Sequence, residues 1–287
     1  MKLFWNVFLV STLFTMNAYA DGFTASAGAD YSTGKYGGSE STDVWYVPFV
    51  ASYQAGAFTY KLTVPWIRVT GPGDVVPGGF GGSGAGSGAT STTTCVKPAS
   101  GGSGSGKRVC TTTAGSPPPG TVATRSTASG LGDIIAAATY NAYDGGDQGF
   151  VVDFTGRVKF GTASSSKALG SGENDYAIQT NIDKNFGPAY ASFGLGYKFL
   201  GEPSGVNLKN IVFGSLGGGY KLSKDTEIGA SYDWATASFG GADKPQELSI
   251  YGSHYINNNY KLSAVLYGGL TDASPDVGGG LTLKYYF

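Results

Sequence analysis

The segment Val277-Gly-Gly-Gly-Leu-Thr-Leu-Lys-Tyr-Tyr-Phe287 alternates apolar and polar side chains with a period of two. Side chains two residues apart in a β-strand project from the same face of the sheet. The odd-numbered positions form an apolar face: Val277, Gly279, Leu281, Leu283, Tyr285 and Phe287. The even-numbered positions, which include Thr282 and Lys284, form a polar face. The segment therefore predicts an amphipathic strand that ends on an aromatic residue of its apolar face.

The same alternation recurs along the chain and predicts about twelve strands. The clearest of them has phenylalanine and valine on one face and Asp153, Arg157 and Lys159 on the other. One strand has no clear facing, because His254 shares the parity of apolar residues. The predicted strands are 23–31, 44–53, 58–66, 133–143, 150–160, 175–184, 188–200, 210–222, 226–234, 246–256, 260–270 and 277–287.

The connections between these strands alternate in length. The short links are 54–57, 144–148, 184–187, 223–225 and 257–259. The longer ones are 32–43, 71–132, 162–174, 201–209, 235–245 and 271–276. Such a rhythm is typical of a membrane barrel with tight turns at one end and long loops at the other. We therefore predict an all-β fold, a transmembrane antiparallel up-and-down β-barrel of about 12 strands.

Composition and the first residues agree with this membrane location. Charged residues make up 14% of the chain, whereas soluble domains carry about 25%. Met1-Lys2, the apolar run Leu3 to Met16 and Ala18-Tyr19-Ala20 predict a signal peptide over residues 1–20 and a barrel over 21–287. Beyond Asp21 no apolar run is long enough for a spanning helix, so strands must cross the bilayer.

These features predict the outer membrane of a Gram-negative bacterium, with its lipids as surroundings. The strand that ends at Phe287 resembles the closing strand of a bacterial outer-membrane β-barrel. Such a strand implies the barrel-assembly machinery as a partner. A net charge of −1 favours neither nucleic acid nor an acidic polymer.

The segment 71–130 is rich in glycine, serine and threonine, and strand order predicts that it is a long extracellular loop. Two interpretations stay open: a surface loop without fixed structure, or a loop that folds into the lumen and gates it. Its two cysteines, Cys95 and Cys110, predict a disulfide in an exported protein. A metal site is disfavoured because His254, the single histidine, is distant in sequence.

Polar parity in the predicted strands selects ten residues as candidates to line the lumen or pore. They are Asp133, Asp153, Arg157, Lys159, Gln179, Asp183, Lys61, Lys198, Glu227 and Asp233. They would form either a polar track for small solutes or a salt-bridge network that fills the barrel. Asp133 would line the pore mouth, anchor the long loop by accepting backbone N–H groups, or cap a turn. Outward aromatic residues near strand ends predict interfacial girdles that include Trp45, Trp66, Trp234 and Phe287.

The step Ser129-Gly-Leu-Gly-Asp133 and the stretch Val64-Pro-Trp-Ile-Arg-Val-Thr-Gly71 resemble a family of outer-membrane barrels. These are the transporter-like proteins associated with the meta-pathway of phenol degradation. The resemblance implies passage of small solutes, many of them aromatic or hydrophobic. The long insert with two cysteines departs from the family pattern.

The sequence indicates no enzyme and no cofactor, because it lacks a nucleotide-binding loop, a metal-ligand spacing and a supported catalytic triad. We predict an outer-membrane transporter or narrow channel for passive passage of small solutes. The competing interpretation is a closed structural or adhesive barrel whose long surface loop binds a partner. Barrels of about twelve strands fall between filled and open ones, so strand number does not decide between the two.

Overall fold

A computed structural model of the chain describes residues 22–36, 40–72, 93–96, 109–112, 125–146, 149–203, 207–238 and 242–287. The predicted signal peptide lies outside these residues. The strands are β1 (Gly22–Gly34), β2 (Thr42–Ala55), β3 (Phe58–Gly71), β4 (Thr93–Val96), β5 (Val109–Thr112), β6 (Ser126–Leu131), β7 (Ile134–Asp144), β8 (Phe150–Phe160), β9 (Asp175–Phe186), β10 (Ala189–Phe199), β11 (Ile211–Lys221), β12 (Thr226–Ala235), β13 (Gln246–Tyr255), β14 (Tyr260–Gly269) and β15 (Val277–Tyr286). A 3-10 helix spans Ser165–Lys167.

The predicted closed antiparallel barrel is confirmed. All strands except β4 and β5 belong to one antiparallel sheet, in which β1 to β3 and β7 to β15 pair in sequence order, with β3 next to β7, and β15 pairs with β1. β6 pairs with the half of β3 near Gly71, and β7 pairs with the half near Phe58. Because β6 and β7 together complete one position in the wall, the barrel has 12 strands.

The two faces of each strand follow the sequence pattern. In β8, Phe150 and Phe154 are each 50% exposed on the outside, whereas Asp153 and Lys159 are 2% exposed on the inside. A charge on the lipid face would cost about 2–4 kcal/mol at mid-depth, so this orientation is the one a bilayer favours. His254, whose facing the sequence left open, lies on the outer face, where its Nδ1 is 2.8 Å from Thr226 Oγ1.

Aromatic side chains form two belts on the outer surface, and their place at the membrane interfaces stays a prediction. At the long-loop end, Trp45 is 45% exposed and lies 5.1 Å from Tyr31 between ring centres. At the short-turn end, Phe287 is 72% exposed and contacts Phe23. Trp66 and Trp234 also lie on outward positions of their strands. Belts of this kind are typical of residues at the two membrane–water interfaces.

The predicted loop 71–130 is shorter in the structure than in the sequence analysis. Its last residues, from Ser126, form β6 and continue the barrel wall beside β3. The reason is that β3 extends to Gly71, and an unpaired strand edge in the wall would leave backbone groups without partners. Within the segment, β4 and β5 form a hairpin with Cys95 directly opposite Cys110. Opposite residues in antiparallel strands have the Cα separation that a disulfide requires, so the disulfide stays a prediction with a compatible register.

Among the residues that the structure describes, no helix has the length and hydropathy needed to cross a membrane.

Candidate lumenal site

The wall is interrupted where β6 ends and β7 begins, at Gly132 and Asp133. Opposite them in β3 stands Pro65, which has no backbone N–H to donate, so the regular ladder cannot continue here. The N–H of Gly132 donates to the carbonyl of Pro65 over 2.9 Å. A Cβ on Gly132 would lie 2.5 Å from Ile67 Cδ1, so glycine is required for this close approach. The interruption turns the following residue, Asp133, into the barrel.

Asp133 is the centre of a buried ionic group that we call the Lys159 latch, formed by Asp133, Lys159 and Asp175. Lys159 Nζ lies 3.0 Å from Asp133 Oδ2 and 3.1 Å from Asp175 Oδ2. It also donates to Ser171 Oγ over 3.2 Å. Each of the three charged residues is 5% exposed or less. The ammonium lies between two carboxylates, and pairing with opposite charge makes a buried ion tolerable.

The latch holds the connection between β8 and β9, residues 161–174, which we call the inward loop. The backbone N–H of Ala163 donates to Asp133 Oδ1 over 2.9 Å. From the other side, the N–H of Gly201 donates to Asp175 Oδ1 over 3.0 Å. Asp133 therefore uses one carboxylate oxygen to fix the backbone of the inward loop and the other to bind Lys159.

The inward loop enters the lumen and packs on its wall. Leu169 is 1% exposed and lies in a cluster with the inward-facing residues of β2 and β3. The members of this cluster are Tyr36, Val44, Tyr46, Ile67, Val69, Ala163 and Leu169. A Cβ on Gly130 would lie 3.1 Å from Leu169 Cδ1, so a larger residue there would press on the loop. Each of the last four residues of the Ser-Gly-Leu-Gly-Asp step thus has a physical role. Gly130, Gly132 and Asp133 act as described above, and Leu131 faces outward, where it is 62% exposed.

On the opposite wall, aromatic rings lie flat against glycines of the neighbouring strand. Three tyrosines and one phenylalanine face a glycine directly in register: Tyr190 and Gly219, Tyr251 and Gly229, Tyr267 and Gly278, Phe213 and Gly196. A Cβ on each of these glycines would lie 2.3–2.5 Å from the ring. The hydroxyls of Tyr190 and Tyr251 are 2.8 Å apart, and Tyr267 donates to Asp30 Oδ1 over 2.8 Å.

The ten candidate residues all occupy inward positions. Lys159 binds Asp133 and Asp175, and the register places Asp175 directly opposite it. Asp153 accepts from Asn141 Nδ2 over 2.9 Å.

The other predicted residues are distributed over the inner wall. Gln179 donates to Asn181, and Ser231 donates to Asp233. Glu227 is fully buried and binds Lys261 over 3.4 Å. The three cations Lys61, Arg157 and Lys198 share one row of the register, described below, and Asp183 lies towards the short-turn end. Whether any of them lines a conducting path stays a prediction.

Several functional candidates were missed in the sequence analysis. Asp175, Asp30 and Glu247 are buried inward carboxylates, and their strand parity was a usable signal. The inward loop carried no such signal, because its entry into the lumen depends on contacts between distant parts of the chain. Within the described residues, no group of three or more side chains is arranged to hold a metal ion.

Solved structures with a similar fold are porins and autotransporter units. The NanC porin aligns with a TM-score of 0.53 and 7% identity, over 91% of this chain and 98% of the porin. The transport unit of the autotransporter AIDA-I from Escherichia coli aligns with a TM-score of 0.49 and 12% identity, over 99% of this chain and 97% of that unit.

The β domain of the Bordetella autotransporter BrkA gives a TM-score of 0.49 at 13% identity, over 93% of this chain and 100% of that domain. No family model and no curated protein sequence matches the chain. At these identities the likeness shows the fold alone, that of an outer-membrane β-barrel, because one fold serves many functions. The resemblance to the meta-pathway family stays a prediction.

Proposed function

We propose that the protein is a transporter or narrow channel of the Gram-negative outer membrane for small solutes, including aromatic or hydrophobic ones. The observation that carries the proposal is an apolar surface inside the barrel, at the long-loop end. Val44 and Val69 face inward beside Tyr46 and Ile67, and the inward loop covers them with Leu169. A filled structural barrel gains little from a loop inserted into its lumen, whereas a channel gains a constriction with a defined lining.

The latch supports this proposal because it fixes the constriction at one position. The inward loop is held by Asp133 at Ala163 and by Lys159 at Ser171, and a loop held at two points keeps its place while a solute passes, which is how a narrow pore keeps its selectivity. The tyrosines of the opposite wall support it as well, since they supply aromatic groups inside the barrel. The resemblance of the Ser129–Asp133 step to the meta-pathway family supplies the class of solute.

Single-channel recording of the refolded chain in a planar bilayer tests the proposal. We expect a small steady conductance that phenol and benzoate reduce in a concentration-dependent way. The Leu169→Ala variant, which removes the apolar tip of the inward loop, should conduct more. A barrel that inserts, resists heat and carries no current would contradict the proposal and would favour the closed structural or adhesive barrel.

A further inference from the structure

The charges that reach the lumen are mainly positive. Among the inward residues that the structure describes, Lys61, Arg157 and Lys284 are partly exposed. The inward carboxylates are 5% exposed or less, with the exception of the partly exposed Asp233: Asp30, Asp133, Asp153, Asp175, Asp183, Glu227 and Glu247. Since surface inside a barrel faces its lumen, a solute there meets ammonium and guanidinium groups more readily than carboxylates.

Three cations lie on a single row of the strand register, which we call the cation row. Lys61 pairs with Ala137, Ala137 with Arg157, Arg157 with Ala177, and Ala177 with Lys198. Cations therefore occupy every second strand, and alanines stand between them. No carboxylate belongs to the part of the row from Lys61 to Lys198.

The positive surface continues beyond the cation row towards the short-turn end. Lys284 is near enough to Lys261, and Lys61 near enough to Lys284 and Arg157, for their charges to interact. Because strands tilt in a closed barrel, a row of register partners climbs around the wall. Lys284 lies near the short turns and Lys198 near the long loops. The positive surface thus extends through the depth of the barrel.

Two ion-pair groups flank the cation row. Lys261 binds Glu227, and Lys159 binds Asp133 and Asp175 in the latch. Beside Lys61 and Ala137, the next row towards the long loops carries uncharged residues. Val50, Thr63 and Ile135 follow one another there in register, and Lys159 of the latch stands opposite Ile135. A positive group and an apolar strip are therefore adjacent at Lys61.

We propose that this juxtaposition is a binding site for a small organic anion with an apolar part, such as an aromatic carboxylate. The carboxylate would bind Lys61 and Arg157, and the ring would contact Val50 and Ile135. Charge-assisted hydrogen bonds from ammonium and guanidinium groups are the interactions that favour a carboxylate over a neutral analogue. This inference rests on the proposed transport function and adds the sign of the solute's charge.

The test measures benzoate binding to the refolded barrel in detergent by isothermal titration calorimetry, with neutral benzamide as the matched probe. We expect benzoate to bind more tightly than benzamide. The Lys61→Met variant should bind benzoate about tenfold more weakly, as expected for the loss of one charge-assisted hydrogen bond. Lys224→Met, at an exposed turn outside the lumen, is the control and should bind as the unchanged protein does.

Heat-dependent migration on gels checks that each variant is folded, and Lys61→Gln replaces Lys61→Met if the latter does not fold. Reversal potentials in asymmetric salt provide the second readout. The unchanged protein should prefer anions, and the Lys61 variant should show a smaller preference. Equal binding of benzoate and benzamide, or unchanged binding after substitution of Lys61, would overturn the anion site. If the same barrel conducts, the channel proposal stands. A folded barrel that neither binds nor conducts would overturn both.

Discussion

Asp133 illustrates how much a single side chain decides in this barrel. One of its oxygens accepts from the backbone of the inward loop, and the other binds Lys159. A carboxylate is the only side chain of this size that performs both tasks with full charge. The residue therefore couples the break in the wall to the constriction in the lumen.

Substituting Asp133→Asn should destabilise the barrel by about 1–3 kcal/mol, because Lys159 keeps Asp175 but loses one carboxylate of the latch. The conductance should also fluctuate more, since the inward loop is held less firmly. Urea unfolding in lipid vesicles and single-channel noise measure the two effects. Asp272→Asn, at an exposed loop position, is the control. An unchanged unfolding midpoint in Asp133→Asn would show that the latch does not stabilise the fold.

Gly229 and Gly156 provide a comparison in which alanine should have opposite effects. A Cβ on Gly229 would lie 2.4 Å from the Tyr251 ring, whereas a Cβ on Gly156 meets nothing within 4 Å. We expect Gly229→Ala to cost about 1–3 kcal/mol by overpacking. Gly156→Ala should stabilise by up to about 1 kcal/mol, because glycine loses more backbone freedom on folding. The two unfolding free energies measure this, and shifts of the same sign would contradict the account of the flat rings.

At the scale of elements, the inward loop and the β6–β7 interruption form one device. Gly130 leaves room for Leu169, Gly132 permits contact with Pro65, and Asp133 binds the loop backbone. A regular strand would offer none of these features. The interruption thus has a structural role: it holds the inward loop, which connects β8 and β9, inside the lumen.

Leu169→Ala should destabilise the protein by about 2–5 kcal/mol, the range for removal of a buried leucine side chain. It should also raise the conductance, because the apolar tip that narrows the lumen is removed. Leu131→Ala serves as the matched control, since Leu131 is outward and 62% exposed. Equal effects of the two substitutions on conductance would mean that the loop tip does not restrict passage.

The β4–β5 hairpin should be closed by a disulfide between Cys95 and Cys110, which stand opposite one another in register. Thiol titration of the unfolded chain should detect no free thiol before reduction and 2 after it. A Cys95→Ser variant, which should titrate with 1 thiol under both conditions, is the control. Free thiols in the unreduced protein from an oxidising compartment would exclude the bond.

At the scale of the molecule, the sequence was sufficient for the barrel and insufficient for its contents. Alternation in segments such as Phe150–Phe160 predicts which side chains face lipid, and the alternating link lengths predict how the strands connect. Neither pattern predicts which loop turns inward or which strands have side chains in contact across the lumen. The contact of Tyr190 with Tyr251 joins β10 to β13, and the latch joins three separate segments. Such contacts arise only once the cylinder has closed.

The seam between β1 and β15 has a consequence for how the protein matures. Ten residue pairs, from Thr24 with Tyr286 to Thr33 with Val277, join the two extremes of the described chain. Contacts between such distant residues form slowly, because a long stretch of chain must be ordered before they can be made. Until they form, two unsatisfied edges remain available to other chains. The yield of folded protein should therefore depend on the rate at which β1 and β15 pair, and much less on the stability of the finished barrel.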